Sequence, residues 1–219
     1  MMQGIGKYEI LLLDAANTII HKPDIWPGFL NACSKNGFDI NEIELRKKHK
    51  LLSEIIHFPD VTSKEFYSTF NNEVLLSLGI IASQQLLDDI FTACTYLPWK
   101  PFEDTIILNE LTIKKAVLSN FNSSLKLKIR DIFGENMFDN IIGSEDEGIG
   151  KPNVKFYLRA LDLLNVEPEK VLYIGDSLKL DVIPAQSIGI DAWLVDRDRN
   201  FTNFNKRIDS LSGLSKIIN

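Results

Sequence analysis

Tyr8-Glu9-Ile10-Leu11-Leu12-Leu13-Asp14-Ala15-Ala16-Asn17-Thr18 is a short apolar run that stops at a carboxylate. Its hydrophobicity is continuous rather than alternating, which predicts a strand buried on both faces of a parallel sheet. The pattern recurs at Lys115–Ser119, Phe138–Gly143, Val171–Gly175 and Ala192–Asp196, each followed by polar residues. Helical periodicity separates these runs at about Ser123–Phe133, Asn153–Asn165 and Leu178–Ile188. The strand, helix, strand rhythm is that of an α/β fold, a doubly wound, Rossmann-like parallel sheet. Ligands of such sheets sit at the carboxyl ends of the strands.

Between about Ile25 and Thr95 the rhythm breaks, and four amphipathic segments follow one another without a convincing strand. This predicts an inserted α-helical domain. Prolines punctuate its expected borders, near Pro23 to Gly28 and at Leu97-Pro98-Trp99-Lys100-Pro101. The expected division is a core of residues 1–21 and 98–219 carrying a helical insertion at 22–97. His49 and His57 fall on or beside helical segments of the insertion and are expected to be solvated or packed.

A composition of 45% hydrophobic and 25% charged residues is that of a globular chain and excludes a disordered or fibrous one. The net charge of -6 comes without like-charge blocks or a basic stripe, so nucleic acid is not an expected partner. Cys33 and Cys94 lie far apart with no second pair or histidine spacing for zinc, and are expected to be buried thiols. The apolar run before Asp14 is too short for a secretory signal, and no run approaches a membrane span. The expectation is a cytoplasmic protein without a membrane partner, either monomer or homodimer.

Chemistry concentrates at the ends of the strand candidates. Asp14 to Thr18 follows the first. Ser119-Asn120 follows the second and offers a hydroxyl and backbone amides to a phosphate oxygen. Gly150-Lys151-Pro152 precedes a helix, where a lysine can neutralise a phosphate and a nearby carboxylate. A P-loop is excluded because position 145 is Glu and Lys151 is followed by Pro152. Gly175 permits a sharp turn before Asp176 and Asp181, whose hard oxygens suit Mg2+. Taken singly, these residues are equally turn formers, helix caps or solvated charges.

Their order carries more weight. Carboxylate, hydroxyl, lysine and paired carboxylates at the ends of successive strands resemble the motifs of the haloacid dehalogenase superfamily, with the helical insertion similar to its cap domain. Leu118-Ser119-Asn120, Glu147-Gly148-Ile149-Gly150-Lys151-Pro152 and Gly175-Asp176-Ser177 strengthen the resemblance, which covers essentially the whole chain. It implies a phosphohydrolase in which Asp14 attacks the phosphorus of a small phosphorylated substrate and forms an aspartyl-phosphate. It also implies Mg2+ held by Asp14, Asp176 and the main-chain carbonyl of Ala16, with Asp181 in support. Lys151, Ser119 and the backbone near Asn120 would stabilise charge on the transferring phosphoryl group, with Thr18 among the substrate-binding residues.

The sequence departs from the family at Ala16, where its phosphatases carry a second Asp that protonates the leaving group. Such help is worth roughly 100-fold to 10,000-fold in rate. Acyl or aryl phosphates need less of it, and His21 is a conceivable substitute. Alanine at this place is shared with phosphonoacetaldehyde hydrolases, which need a cap lysine for a Schiff base; Lys47, Lys48, Lys50 and Lys64 are candidates. Dehalogenases place an aromatic residue there and need no metal, against which Asp176 and Asp181 weigh. A phosphate-binding regulatory protein with little turnover is the remaining alternative.

Overall fold

The apolar run before Asp14 becomes strand β1, Ile10–Leu13, and all its residues are buried. The structure is a computed structural model that describes residues 7–56, 58 and 63–218; His57 lies outside them. Short strands β2 (Ile20–His21) and β3 (Lys100–Pro101) form a small two-stranded sheet. Strands β4 (Lys114–Ser119), β5 (Asn140–Gly143), β6 (Val171–Gly175), β7 (Asp191–Val195) and β8 (Arg207–Ile208) join β1 in a six-stranded sheet. Its order is β5-β4-β1-β6-β7-β8 and every pairing is parallel. This is the doubly wound, Rossmann-like sheet expected from the sequence. The unanticipated strands are two residues each, too short to show any period.

Helices α1 (Ile25–Lys35), α2 (Glu42–Ile55), α3 (Lys64–Ser77) and α4 (Gln84–Cys94) occupy the stretch where strands are missing. By its contacts the chain divides into two compact units, Met1–His21 with Pro101–Asn219, and Lys22–Lys100. The helical unit has its own apolar core, which includes Phe29, Leu45, Phe70, Leu75, Leu86 and Ile90. Asn41, Ser63 and Ser83 cap its last three helices by accepting a backbone N–H from three residues on, each such cap worth about 1 kcal/mol. Pro27-Gly28 lies inside α1 rather than at its border. Proline is tolerated in a first turn, and a Cβ on Gly28 would sit 2.9 Å from the Ala93 carbonyl oxygen, so glycine permits the close approach of α1 to α4. Cys33 is buried and Cys94 half-buried, both as free thiols. His49 packs edge-on to Trp26 and Phe70, with ring centroids at 5.1 and 4.9 Å.

In the core unit, α5 (Leu125–Phe133), α6 (Ser144–Glu147) and α7 (Val154–Leu164) connect the strands. The helix expected over Leu178–Ile188 is instead a π-helical turn, Leu178–Val182, running into the short helix α8, Ile183–Gln186. Proline explains the break. Pro184 has no N–H to give the Leu180 carbonyl one turn earlier, and the Tyr157 hydroxyl donates to that carbonyl instead.

Candidate active site

Strand order explains why residues remote in sequence meet. β1 lies between β4 and β6, so the carboxyl ends of these strands adjoin. Asp14 follows β1, Ser119 ends β4, and Asp176 follows Gly175 at the end of β6. Lys151 comes from the loop before α7. Its backbone is clamped by Asn120, whose side-chain amide accepts from the Lys151 N–H at 2.7 Å and donates to the Lys151 carbonyl at 2.9 Å. The Asn120 side chain therefore holds the lysine in place.

Asp14, Lys151 and Asp181 form a buried ionic core, with relative exposures of 4%, 5% and 1%. Lys151 Nζ donates to Asp14 Oδ1 at 2.7 Å and to Asp181 Oδ1 at 2.6 Å, and lies 3.5 Å from the Tyr173 hydroxyl. Ser119 Oγ donates to the same Asp14 oxygen at 2.9 Å. The other oxygen, Oδ2, accepts only a long bond of 3.4 Å from Thr18 Oγ1 among the described residues. Asp14 thus has one anchored oxygen and one lightly engaged, which suits a carboxylate that must be both fixed and reactive.

Asp181 is differently employed. Its Oδ1 accepts from Lys151 and from the Tyr173 hydroxyl at 2.8 Å, and its Oδ2 accepts the Ser177 N–H at 2.9 Å. Both oxygens have protein donors, which tie Asp181 to Lys151 and to the turn after β6. Gly175 makes room for it: a Cβ there would lie 2.3 Å from Asp181 Cγ.

Burial pushes the Asp14 carboxyl up to about 6; Lys151 opposes this, while Asp181 and Asp176 add to it. Burial works against the Lys151 ammonium, but Asp14 and Asp181 outweigh it and hold its pKa above the ordinary value. Asp14, Asp176 and Asp181 each offer a carboxylate oxygen within 4.8 Å of the others. The cluster gathers three carboxylates, hard oxygen donors, beside the Lys151 ammonium. A small divalent cation of the Mg2+ type fits that donor set.

The loop after Asp14 is tightly wound. The Ala15 carbonyl accepts the amides of Thr18, Ile19 and Ile20 at 3.3, 2.9 and 3.0 Å, and Asn17 takes a positive φ of 58°, which asparagine tolerates. Ala16 is half-buried in this loop and its methyl group has no proton to give. The His21 ring stacks on Phe102 with centroids 4.0 Å apart. In the helical unit, Lys50 pairs with Glu54 at 3.1 Å and Lys64 with Asp88 at 2.7 Å. Tyr173 is the participant that sequence reasoning missed, because it reads as one more apolar residue of a buried strand. The signal available was a phenol in that strand eight residues before Asp181.

The family described as haloacid dehalogenase-like hydrolase matches residues 8–189. Over 166 residues, 68% of this chain and 68% of the relative, the sequence is 25% identical to a glyceraldehyde 3-phosphate phosphatase of Methanothermobacter thermautotrophicus. Over 85 residues, 39% of this chain, it is 31% identical to haloacid dehalogenase-like hydrolase domain-containing protein 3 of Xenopus laevis. The matched stretches span only 35% and 45% of the Xenopus laevis and Bos taurus proteins of that name. Among solved structures, the HAD-hydrolase YfnB of Bacillus subtilis, bound to magnesium, superposes with a TM-score of 0.68 at 22% identity, covering 97% of this chain and 99% of that one. A HAD phosphatase of Thermococcus onnurineus gives 0.58 at 22% identity, covering 95% and 97%. Among the described residues, no helix is long and apolar enough to cross a membrane.

Proposed function

Because this chain belongs to the haloacid dehalogenase-like hydrolase family, we propose that it is a Mg2+-dependent phosphohydrolase acting on a small phosphorylated metabolite through an aspartyl-phosphate at Asp14. The observation that carries this reading is the unequal treatment of the two Asp14 oxygens, one held by Lys151 and Ser119 and the other facing only Thr18 at 3.4 Å. Relatives named as phosphatases support the same reaction class. The helical unit, residues 22–100, is assigned the part of a cap that selects the substrate.

Asp14 Oδ2 attacks phosphorus, the bond from phosphorus to the leaving oxygen breaks, and that oxygen departs with the electron pair. Water then attacks the aspartyl-phosphate at phosphorus, which returns the Asp14 carboxylate and releases inorganic phosphate. Lys151 and the Ser119 hydroxyl stay in place through both steps and oppose the charge on the transferring group. Asp14, Asp176 and the Ala16 carbonyl would hold Mg2+, which supplies positive charge against the phosphoryl oxygens when bound. Asp181 acts behind them, on Lys151 and the Ser177 turn. Calorimetric titration should show Mg2+ binding weakened at least about tenfold by Asp176→Ala, given the few protein carboxylates that Mg2+ uses. Equal affinity in the two proteins would remove Asp176 from the metal site.

Ala16 directs the reading toward particular substrates. With no carboxylic acid there to protonate the leaving oxygen, acyl and aryl phosphates, whose leaving groups are weak bases, are favoured over alkyl phosphates. Ala16→Asp is expected to raise kcat for alkyl phosphates by about 10-fold or more and to change aryl phosphate turnover far less. A uniform fall for both would mean that the pocket is built around alanine. Lys50 and Lys64 are each already engaged by a carboxylate, Glu54 and Asp88, which weighs against either as the Schiff-base lysine of a phosphonoacetaldehyde hydrolase. Turnover of a phosphate-ester panel, with and without Mg2+, tests the whole proposal.

A further inference from the structure

Arg197 belongs to none of the motifs that point to the site, yet it reaches the nucleophile loop. It lies in the loop after β7, and its Nη2 donates to the Thr18 carbonyl at 2.9 Å. The guanidinium is fixed from two other directions. Asp104 accepts from Nη1 at 2.5 Å and from Nη2 at 3.1 Å, and the Phe102 ring lies under the guanidinium carbon at 3.9 Å. Both supports are themselves held. Asp104 Oδ2 also accepts from the Ser210 hydroxyl and the Leu211 amide, each at 2.8 Å. The Phe102 amide donates to the Ile19 carbonyl at 3.1 Å, and its ring stacks with His21.

Thr18 is fully buried, and its hydroxyl is the one protein donor on Asp14 Oδ2 among the described residues. Its placement therefore decides how the attacking oxygen is aimed. The Ala15 carbonyl ties Thr18 back to its own loop, but a tie within the loop does not fix the loop against the sheet. The Phe102 amide holds the neighbouring Ile19 carbonyl from outside the loop, and Arg197 supplies the external anchor on Thr18 itself. Its Nε is buried with no hydrogen-bond partner among the described residues, a desolvation cost that a purely space-filling residue would not carry.

We infer that Arg197 is a positioning residue: it acts through the Thr18 carbonyl to aim Asp14 Oδ2 at the substrate phosphorus. The inference rests on the phosphohydrolase reading above. Displacing a reacting group by an ångström costs on the order of 100-fold, so Arg197→Ala is expected to lower kcat by about 10- to 100-fold while KM changes little. Lysine lacks the fork that spans Asp104 and the Thr18 carbonyl, so Arg197→Lys should recover only part of the loss.

The test uses p-nitrophenyl phosphate with Mg2+ and compares wild type, Arg197→Ala, Arg197→Lys and the control Arg199→Ala, whose exposed guanidinium pairs with Asp209. Millimolar guanidinium added to Arg197→Ala should restore kcat several-fold and leave wild type and Arg199→Ala unchanged. An arginine that only supports the fold would lower thermal stability without a kcat loss per folded molecule and without guanidinium rescue, and that result overturns the assignment. A loss appearing in KM alone also overturns it. Wild-type protein that turns over no phosphate ester would overturn the phosphohydrolase reading and the inference with it. Active wild type with unaffected Arg197→Ala would overturn the inference alone.

Discussion

Asp14→Asn is expected to abolish turnover while leaving a folded protein that melts at or above the wild-type temperature. The activity loss is expected at about 10⁴-fold or more, the scale seen when a residue at the centre of the chemistry is removed. An amide is nearly isosteric with the carboxylate but a poor nucleophile at phosphorus. The stability expectation follows from the direction of the Asp14 shift. Burial raises its folded-state pKa to about 6 from an ordinary value of 3.8, so stability from this group is present below the unfolded value and is lost as pH rises through about 6. At neutral pH the ionised form therefore opposes folding, and a neutral amide relieves that opposition. Lys151 keeps Asp181 as a partner in the variant, so no buried ammonium is stranded. Thermal melts and acid-quench trapping of labelled phosphoenzyme check both halves. Wild-type turnover in Asp14→Asn would require another nucleophile.

Gly175→Ala is expected to lower both stability and activity through a single contact. The added methyl group would lie 2.3 to 2.5 Å from Asp181 Cγ, Oδ2 and Cβ. Such a clash is mild against the free end of a flexible side chain. Asp181 is not free, because Lys151, Tyr173 and the Ser177 amide all hold its carboxylate. Accommodating the methyl means breaking at least one of these bonds or moving β6. Overpacking of this kind costs about 1–3 kcal/mol, a fall in Tm of roughly 2–10 °C for a chain of this size. Activity should fall about 100-fold as Lys151 loosens against Asp14. A double-mutant cycle isolates the cause. In an Asp181→Ala background the Gly175→Ala change should be nearly silent, whereas a full additive penalty would place the damage in the strand.

Much of this fold was legible because parallel strands buried on both faces leave continuous apolar runs. Val171–Gly175 matches its strand residue for residue, and β1 begins two residues inside the run that announced it. The site motifs were legible for a related reason: polar residues directly after buried strands stand out against what precedes them. What the sequence did not disclose depends on contacts across the fold. Leu178–Ile188 has helical periodicity, and only the meeting of Pro184 with the Leu180 carbonyl, and of that carbonyl with Tyr157, turns it into a π-helical turn. The Asn120 backbone was expected to serve phosphate, and nothing in the sequence hints that its side chain also clamps Lys151. Tyr173 and Arg197 were passed over because neither spacing nor composition distinguishes a phenol in a strand or an arginine in a loop.

The separation of the site residues along the chain bears on how the protein reaches its native state. Asp14 and Lys151 are 137 residues apart, and more than half of that interval is the helical unit, residues 22–100. Closing a longer loop is thermodynamically cheap, about 0.6 kcal/mol for each doubling, so the insertion is tolerated at equilibrium. Its consequence is kinetic. On the ribosome, Asp14 emerges long before the lysine that neutralises it and the strand that covers it, and the helical unit, whose contacts are local, is complete in the interval. The ionic centre is therefore expected to be among the last features to be assembled, because a nascent chain that has not yet formed β6 lacks Asp176 and Asp181 beside Asp14.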